Sequence, residues 1–245
     1  MLDLKNITLS YGATPILRGV NLSVNKGDVV SIIGPSGTGK TTLLRCINYL
    51  AKPSSGTIQL DQHQMDYQSP NKATIQAIRL RTAMVFQQFN VFKNMTVLEN
   101  VMDPLMVIQG KSKQQAREIA VQELERVGLG AKFDNYPSQL SGGQLQRTGI
   151  ARALAVRPDV ILFDEPTSSL DPELVGEVLK VIKDVTSSGI TSLLVTHEMQ
   201  FAKSVSNRIV FMDQGIVAAE GSPTEIFDNP TSPRLAQFLN TEHSF

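Results

Sequence analysis

The sequence predicts an α/β fold: a core built on a mainly parallel sheet, an antiparallel β-subdomain on its N-terminal side and an inserted α-helical subdomain. Three observations predict it. The apolar runs Val29–Ile33, Val160–Phe163 and Leu193–Val195 lack polar alternation and read as strands buried on both faces. Segments of helical periodicity lie between them, with Leu174, Val178, Val181, Ile182 and Val185 on one face. From Asn90 to Tyr136 no strand pattern occurs, so that stretch reads as helices set into the core. The expected boundaries are a core with its β-subdomain over about 1–89 and 158–245, and a helical subdomain over about 90–157, all within one domain.

Bulk properties narrow the function. At 245 residues and 41% hydrophobic composition the chain can bury a substantial core. Lys+Arg and Asp+Glu balance at 23 each, which argues against a duplex-DNA binder working by phosphate neutralisation, and no nucleic acid partner is expected. A single cysteine, Cys46, excludes an internal disulfide and fits a reducing compartment. No apolar run approaches the roughly 18 residues that span a bilayer, and Met1–Ser10 alternates like a strand, unlike a signal peptide. The expectation is a cytosolic chain that does not itself cross a membrane.

In chain order, Leu2, Leu4, Ile7 and Leu9 form a strand with one break in alternation, and Val20, Leu22 and Val24 form a second before the Asn25-Lys26-Gly27 turn. Tyr11 ends the first strand beside Gly12. Its ring is placed to lie on a nucleotide base, although a lone tyrosine there reads sooner as a packed turn residue.

Between the strand Val29–Ile33 and an apolar-periodic stretch from Thr42 to Leu50 stands Gly34-Pro35-Ser36-Gly37-Thr38-Gly39-Lys40-Thr41. This is the G-x-x-x-x-G-K-[ST] form of a phosphate-binding loop. Gly34, Gly37 and Gly39 let the backbone curl so that N–H groups point at an anion. Lys40 adds a cation for the outer phosphates, Thr41 offers a hydroxyl to Mg²⁺, and the helix opened by Thr42 adds unpaired N–H groups and a positive dipole end. Leu43, Cys46, Ile47, Leu50 and Ala51 are expected on its buried face.

Thr57–Leu60 reads as a strand, Lys72–Arg81 as a polar helix, and Met84–Phe86 as a buried strand ending at Gln87. A glutamine leaving a strand there can reach a metal or a water; read alone, it is an ordinary surface amide. In the helical stretch Ser112 and Gln115 form a capping box for a helix through Val127 that Gly128 stops. Met95, Met102, Leu105 and Met106 read as core residues, or as an adaptable docking surface if exposed.

Leu140-Ser141-Gly142-Gly143-Gln144 opens a helix running through Leu154. Ser141 with the paired glycines Gly142 and Gly143 reads as a second anion site, while a plain N-cap leaves the glycines unexplained. Val160–Phe163 ends in Asp164 and Glu165, at the strand edge where open α/β sheets bind ligands. Asp164 suits a Mg²⁺ shell and Glu165 can take the proton of an attacking water. Asp171-Pro172 starts the next helix, and Leu193–Val195 ends at Thr196-His197, where the imidazole can meet a γ-phosphate or a water. His63 and His243 lie in polar, irregular surroundings and carry no role. Val210–Met212 and Ile216–Ala219 flank Gln214-Gly215 as a hairpin, Ser222 and Glu225 form a capping box, and Ser232-Pro233 starts the last helix. No sizeable regulatory domain is expected after it.

The order of these motifs resembles the nucleotide-binding subunit of the ATP-binding cassette (ABC) family over essentially the whole chain. The residues that carry the resemblance are Tyr11, GPSGTGKT at Gly34–Thr41, Gln87, LSGGQ at Leu140–Gln144, ILFDE at Ile161–Glu165, SLD at Ser169–Asp171, and His197. The resemblance implies a P-loop NTPase, RecA-like core that takes ATP and Mg²⁺. Tyr11 would stack on adenine, and Gly34–Thr42 would hold the phosphates. Thr41, Gln87 and Asp164 would hold Mg²⁺ directly or through water, with Gln87, Glu165 and His197 serving hydrolysis. Ser141, Gly142, Gly143 and Gln144 would meet ATP held by a second copy, with Asp171 at the interface of a homodimer formed on ATP binding.

The segments from Glu173 to Leu179, from His197 to Ala202 and at Phe211–Asp213 resemble the ATPases of bacterial polar amino acid importers. Leu145 and Gln200 depart from that pattern, outside the nucleotide-contact positions. The implied partners are integral membrane permease subunits and, indirectly, an extracytoplasmic solute-binding protein, which puts the chain on the cytoplasmic side of the membrane. The competing readings are a soluble ABC ATPase of repair, translation or cluster assembly, and an exporter ATPase. Long coiled-coil insertions and tandem cassettes, common in the soluble group, do not occur in this sequence.

Overall fold

The segments Leu2–Tyr11 (β1), Thr14–Val24 (β2), Ser55–Leu60 (β4) and His63–Asp66 (β5) pair into an antiparallel sheet of order β2-β1-β4-β5 in the computed structural model, which describes residues 1–242. The break in alternation after Leu4 is a bulge. Asn6 takes a positive φ of 52° and its N–H donates to Asn21 Oδ1 at 2.9 Å, so Leu4 and Ile7 both face the core. Strand β5 was not anticipated, and it corrects the reading of His63: the residue pairs with Leu60 in a regular strand. His243 lies outside the described residues.

Val29–Ile33 (β3), Thr82–Val85 (β6), Val160–Asp164 (β7), Thr191–Val195 (β8), Arg208–Asp213 (β9) and Ile216–Gly221 (β10) form a second sheet of order β10-β9-β3-β8-β7-β6. All of its pairings are parallel except β9 with β10. The period of two along these strands sorts side chains between separate cores. Val30, Ile32, Val160, Leu162, Leu193 and Val195 face the antiparallel sheet and the helix Lys40–Ile47 (α1). On the opposite side Ile161, Phe163 and Leu194 meet Val97–Val107 (α3), Lys113–Arg126 (α4), Gly142–Ala155 (α5) and Pro172–Ser187 (α6). Ile33, Ile209 and Phe211 meet a third cluster from Met199–Val205 (α7), Pro223–Phe227 (α8) and Pro233–Glu242 (α9). The remaining helix is Lys72–Arg81 (α2).

The capping boxes expected at Ser112 and Ser222 are formed, and Thr96 with Glu99 makes another at the start of α3. Two boundaries differ from expectation. Helix α1 ends at Ile47 and Tyr49 turns back with φ 57°, so Leu50 is 52% exposed while Ala51 is buried. Strand β6 starts at Thr82 and stops before Phe86. Of the methionines in the helical stretch, Met102 is in the core with Leu105, and Met106 is exposed. Every loop that carries a predicted chemical residue of the core therefore leaves the carboxyl edge of the parallel strands, with β3 central between β8 and β9.

Candidate functional site

The loop Gly34–Gly39 joins β3 to α1 under tight backbone constraint. Gly34 has φ +144° and backs onto the main chain of β9, where an added Cβ would stand 2.1 Å from the Met212 carbonyl oxygen. Thr38 Oγ1 donates to Pro35 O at 2.9 Å, and Lys40 Nζ donates to Gly34 O at 2.8 Å and Pro35 O at 2.9 Å. The ammonium thus lies across the loop whose N–H groups curl around an anion. Gly39 caps α1 without a side-chain hydrogen bond and no acidic residue occupies the first turn, so the helix's positive end is left for a ligand. A cleft of about 230 Å³ opens here, lined by Tyr11, Ile16, Ser36, Gly37, Gly39, Lys40, Thr41, Thr42 and Glu165. Tyr11 is 61% exposed at its rim, unlike a packed turn residue, and offers a free ring face.

Asp164 ends β7 with its side chain 2% exposed. Thr41 Oγ1 donates to its Oδ1 at 2.5 Å, and Arg45 Nη2 lies 3.3 Å from its Oδ2. Burial pushes the Asp164 carboxyl above its ordinary range, and the Thr41 hydroxyl and Arg45 guanidinium oppose that push. A buried carboxylate beside a hydroxyl is a hard oxygen pair suited to Mg²⁺, which keeps waters and phosphate oxygens as its other ligands.

Glu165 follows in a left-handed conformation with φ 46°, and its N–H donates to Val195 O at 2.9 Å. This pins the glutamate between the ends of β7 and β8. Its Oε1 lies 3.3 Å from His197 Nε2, and its Oε2 accepts from Ser168 Oγ at 3.0 Å. The hydrogen bond with His197, and after it that from Ser168, hold the carboxyl below its usual range despite partial burial. The group is an ionised acceptor next to the phosphate loop.

The structure brings together Lys40, Thr41, Asp164, Glu165 and His197. Gln87 stands apart, exposed beyond β6 and off the cleft lining. Ser141–Gln144 and Asp171 also lie off that lining. Ser141 caps α5: its Oγ accepts from Gln144 N at 3.3 Å, and Gln144 Oε1 accepts from Ser141 N at 3.1 Å. Of the paired glycines, unexplained by a cap alone, Gly142 has a packing reason: a Cβ there would meet Leu170 Cδ2 at 3.1 Å, tighter than usual, while one on Gly143 would make only ordinary contact with Leu174 Cβ at 3.4 Å, so α5 lies close to the start of α6. Arg45 and Ser168 were missed in the sequence. Pro166 marks a turn whose first and fourth residues, Glu165 and Ser168, must approach each other, and that was the available signal for Ser168.

A second concavity, about 390 Å³, runs between α2, β6, α3 and α5 and is lined by Leu80, Met84, Phe86, Pro104, Ile108 and Arg152 among others. Leu80, Phe92, Val107 and Ile108 keep exposed apolar surface around it. Arg152 supplies a cation there, donating to Asn90 O at 2.8 Å and lying 5.8 Å from the Phe92 ring centre. Among the described residues no helix is long and apolar enough to cross a membrane.

A family model described as ABC transporter matches residues 17–168. The chain is 51% identical over 239 residues to the L-cystine import ATP-binding protein TcyN of Bacillus subtilis (strain 168), covering 98% of this chain and 92% of that protein. It is 50% identical over 238 residues to the histidine/lysine/arginine/ornithine transport ATP-binding protein HisP of Escherichia coli (strain K12), covering 94% and 93%. Among solved structures, the dimeric post-hydrolysis state of the ATP-binding cassette MJ0796 bound to ADP and Pi superposes with TM-score 0.79 at 36% identity, covering 91% of this chain and 99% of that one.

Proposed function

The chain belongs to the ABC transporter family, and from that membership we propose that it is the ATP-hydrolysing subunit of an importer for polar amino acids. The observation that carries the enzymatic part is the convergence of Lys40, Thr41, Asp164, Glu165 and His197 at the carboxyl edge of one sheet. A relative named for import of cystine supports uptake over the export reading, and one named for transport of histidine, lysine, arginine and ornithine supports amino acid transport over the soluble-ATPase reading. The solute itself is selected by other subunits.

ATP enters the cleft at the phosphate loop with its base against Tyr11 and its phosphates along Gly34–Thr42. Lys40 exchanges its loop carbonyls for β- and γ-phosphate oxygens. Thr41 and Asp164, and Gln87 directly or through water, would hold Mg²⁺, and the ion would supply neutralisation of the charge that builds on the phosphates. Glu165 orients a water in line with the γ-phosphorus. The water oxygen bonds to phosphorus, the bond to the β,γ-bridging oxygen breaks, ADP leaves with that electron pair, and the water proton passes to Glu165. His197, 3.3 Å from the same carboxylate, would contact the γ-phosphate.

The exposed cap of α5 supports a site completed by a second copy: Ser141–Gln144 of one chain would close over ATP held by its partner, with Asp171 at the interface. That the solved cassette MJ0796 is dimeric and bound to ADP and Pi supports the pairing of two copies. A membrane permease is the second partner. Its contact is proposed at the groove around Leu80, Phe86 and Ile108, whose apolar wall with Arg79 and Arg152 suits an amphipathic segment carrying acidic side chains. The chain then works peripherally on the cytoplasmic face, coupled indirectly to a solute-binding protein.

Glu165→Gln tests the enzymatic core. The expected result is unchanged ATP affinity, lost turnover and an accumulating ATP-bound dimer in size-exclusion chromatography. Hydrolysis near the wild-type rate removes Glu165 as the proton acceptor. Co-purification from membranes with a multi-span permease tests the transport role, and a chain recovered free of membranes and bound to nucleic acid overturns it.

A further inference from the structure

We propose that Ser168 is a positioning residue for hydrolysis, its hydroxyl, together with His197 on the other oxygen, fixing the plane of the Glu165 carboxylate that receives the proton of the attacking water. The inference rests on the reading of Glu165 as the proton acceptor. Ser168 is exposed, outside the cleft lining, and belongs to the loop that leads to Leu170 and Asp171.

A carboxylate turns easily about its last torsion, which is broad and roughly two-fold, so one donor leaves its plane loosely set. Glu165 has donors on both oxygens, His197 Nε2 at 3.3 Å from Oε1 and Ser168 Oγ at 3.0 Å from Oε2. The backbone beneath is held equally well: Glu165 N–H donates to Val195 O, and Ser168 N–H donates to Glu165 O at 3.2 Å, closing the turn. That second bond comes from the main chain, so removing the hydroxyl leaves the turn intact and changes only the carboxylate. Ser168 exchanges no proton in the reaction; the water proton goes to Glu165.

The same loop connects the carboxylate to the start of α5. Two residues beyond Ser168, the side chain of Leu170 lies where a Cβ on Gly142 would be 3.1 Å from it.

Ser168→Ala and Ser168→Thr in the full chain, each made alone and with Glu165→Gln, test the proposal. Steady-state turnover, KM, single-turnover rates and the Kd of a fluorescent ATP analogue are the readouts. The expected result for Ser168→Ala is a kcat lower by on the order of tenfold, the scale of a lost alignment, with KM and Kd unchanged. Threonine restores most of kcat, and with Glu165→Gln the alanine causes no further fall. A kcat within twofold of wild type, a loss that appears in KM or Kd, no rescue by threonine, or the same fold-loss with Glu165→Gln each overturns the role of Ser168. Full turnover by Glu165→Gln alone instead overturns the underlying reading of Glu165, so the two failures are told apart.

Discussion

Two glycines of the phosphate loop face different constraints, and replacing each with alanine separates them. At Gly34 the new Cβ would lie 2.1 Å from the Met212 carbonyl oxygen and 3.1 Å from its carbon, both of them main-chain atoms of β9. Carbon and oxygen approach comfortably at about 3.3 Å, so the loop must retreat by roughly 1.2 Å. Strand β9 is bonded to β3 on one side and β10 on the other and cannot yield in its place. The φ of +144° is a second cost, because that region is closed to residues with a Cβ. Strain of about 1–3 kcal/mol and overpacking of about 1–3 kcal/mol together give a loss of roughly 2–6 kcal/mol for Gly34→Ala. At Gly37, with φ +79° and no atom within 4 Å of the new Cβ, only left-handed strain of about 1–2 kcal/mol applies. Urea unfolding without nucleotide measures both, since bound ATP would add its own stabilisation. Gly34→Ala should also lower ATP turnover by on the order of 100-fold, the scale of a 1 Å displacement of reacting groups. Equal unfolding midpoints for the two variants, or normal ATP turnover in Gly34→Ala, refutes the reasoning.

Alkaline stability is set by two buried acids. Burial pushes the Cys46 thiol from 9.0 up to about 12, and burial followed by the neighbouring Cys46 and Tyr49 pushes the Tyr67 phenol up as well. Both groups are neutral when protonated and bind their protons more tightly folded than unfolded, so their stability is fully present below pH 9 and is lost as pH rises. For Cys46 the loss reaches about 3 kcal/mol by pH 11; Cys46→Ala should flatten the fall of the urea midpoint between pH 9 and 11, and an unchanged slope refutes the assignment. Ile108→Asp, at a position 60% exposed on the groove rim, should leave stability within about 0.5 kcal/mol and ATP binding intact while abolishing recovery of the permease on affinity purification; full recovery of the permease removes the groove as its contact.

The parallel core was legible because its strands are short, apolar on both faces and punctuated by turn residues, and the bulge at Asn6 was visible as a break in alternation. Strand β5 was hidden: His63–Asp66 is four residues long, polar at three of them, and held by pairing with β4 rather than by its own pattern. The end of α1 was misplaced because apolar spacing continues through Leu50 although the chain has already reversed at Tyr49. In the site, residues that act through their own loop were readable, as at Lys40 and Thr41. Arg45 was not: it reaches Asp164 from helix α1, and nothing in its local sequence signals that contact.

The paired glycines of α5 tie these levels together. Read as sequence, Gly142 and Gly143 pointed to an anion site; in the fold Gly142 also lets α5 lie close to Leu170 of its own chain. The two demands do not compete. A helix end free of side chains can lie close to α6 on one side and present N–H groups on the other, and Ser141 and Gln144 cap that end reciprocally until a ligand offers better partners. Its cap hydrogen bonds, at 3.1 and 3.3 Å, are long and neutral, whereas a phosphate oxygen would make shorter, charge-assisted ones. In the proposed dimer that exchange would favour the nucleotide, and Leu170, which lies close to Gly142, belongs to the same loop as Ser168.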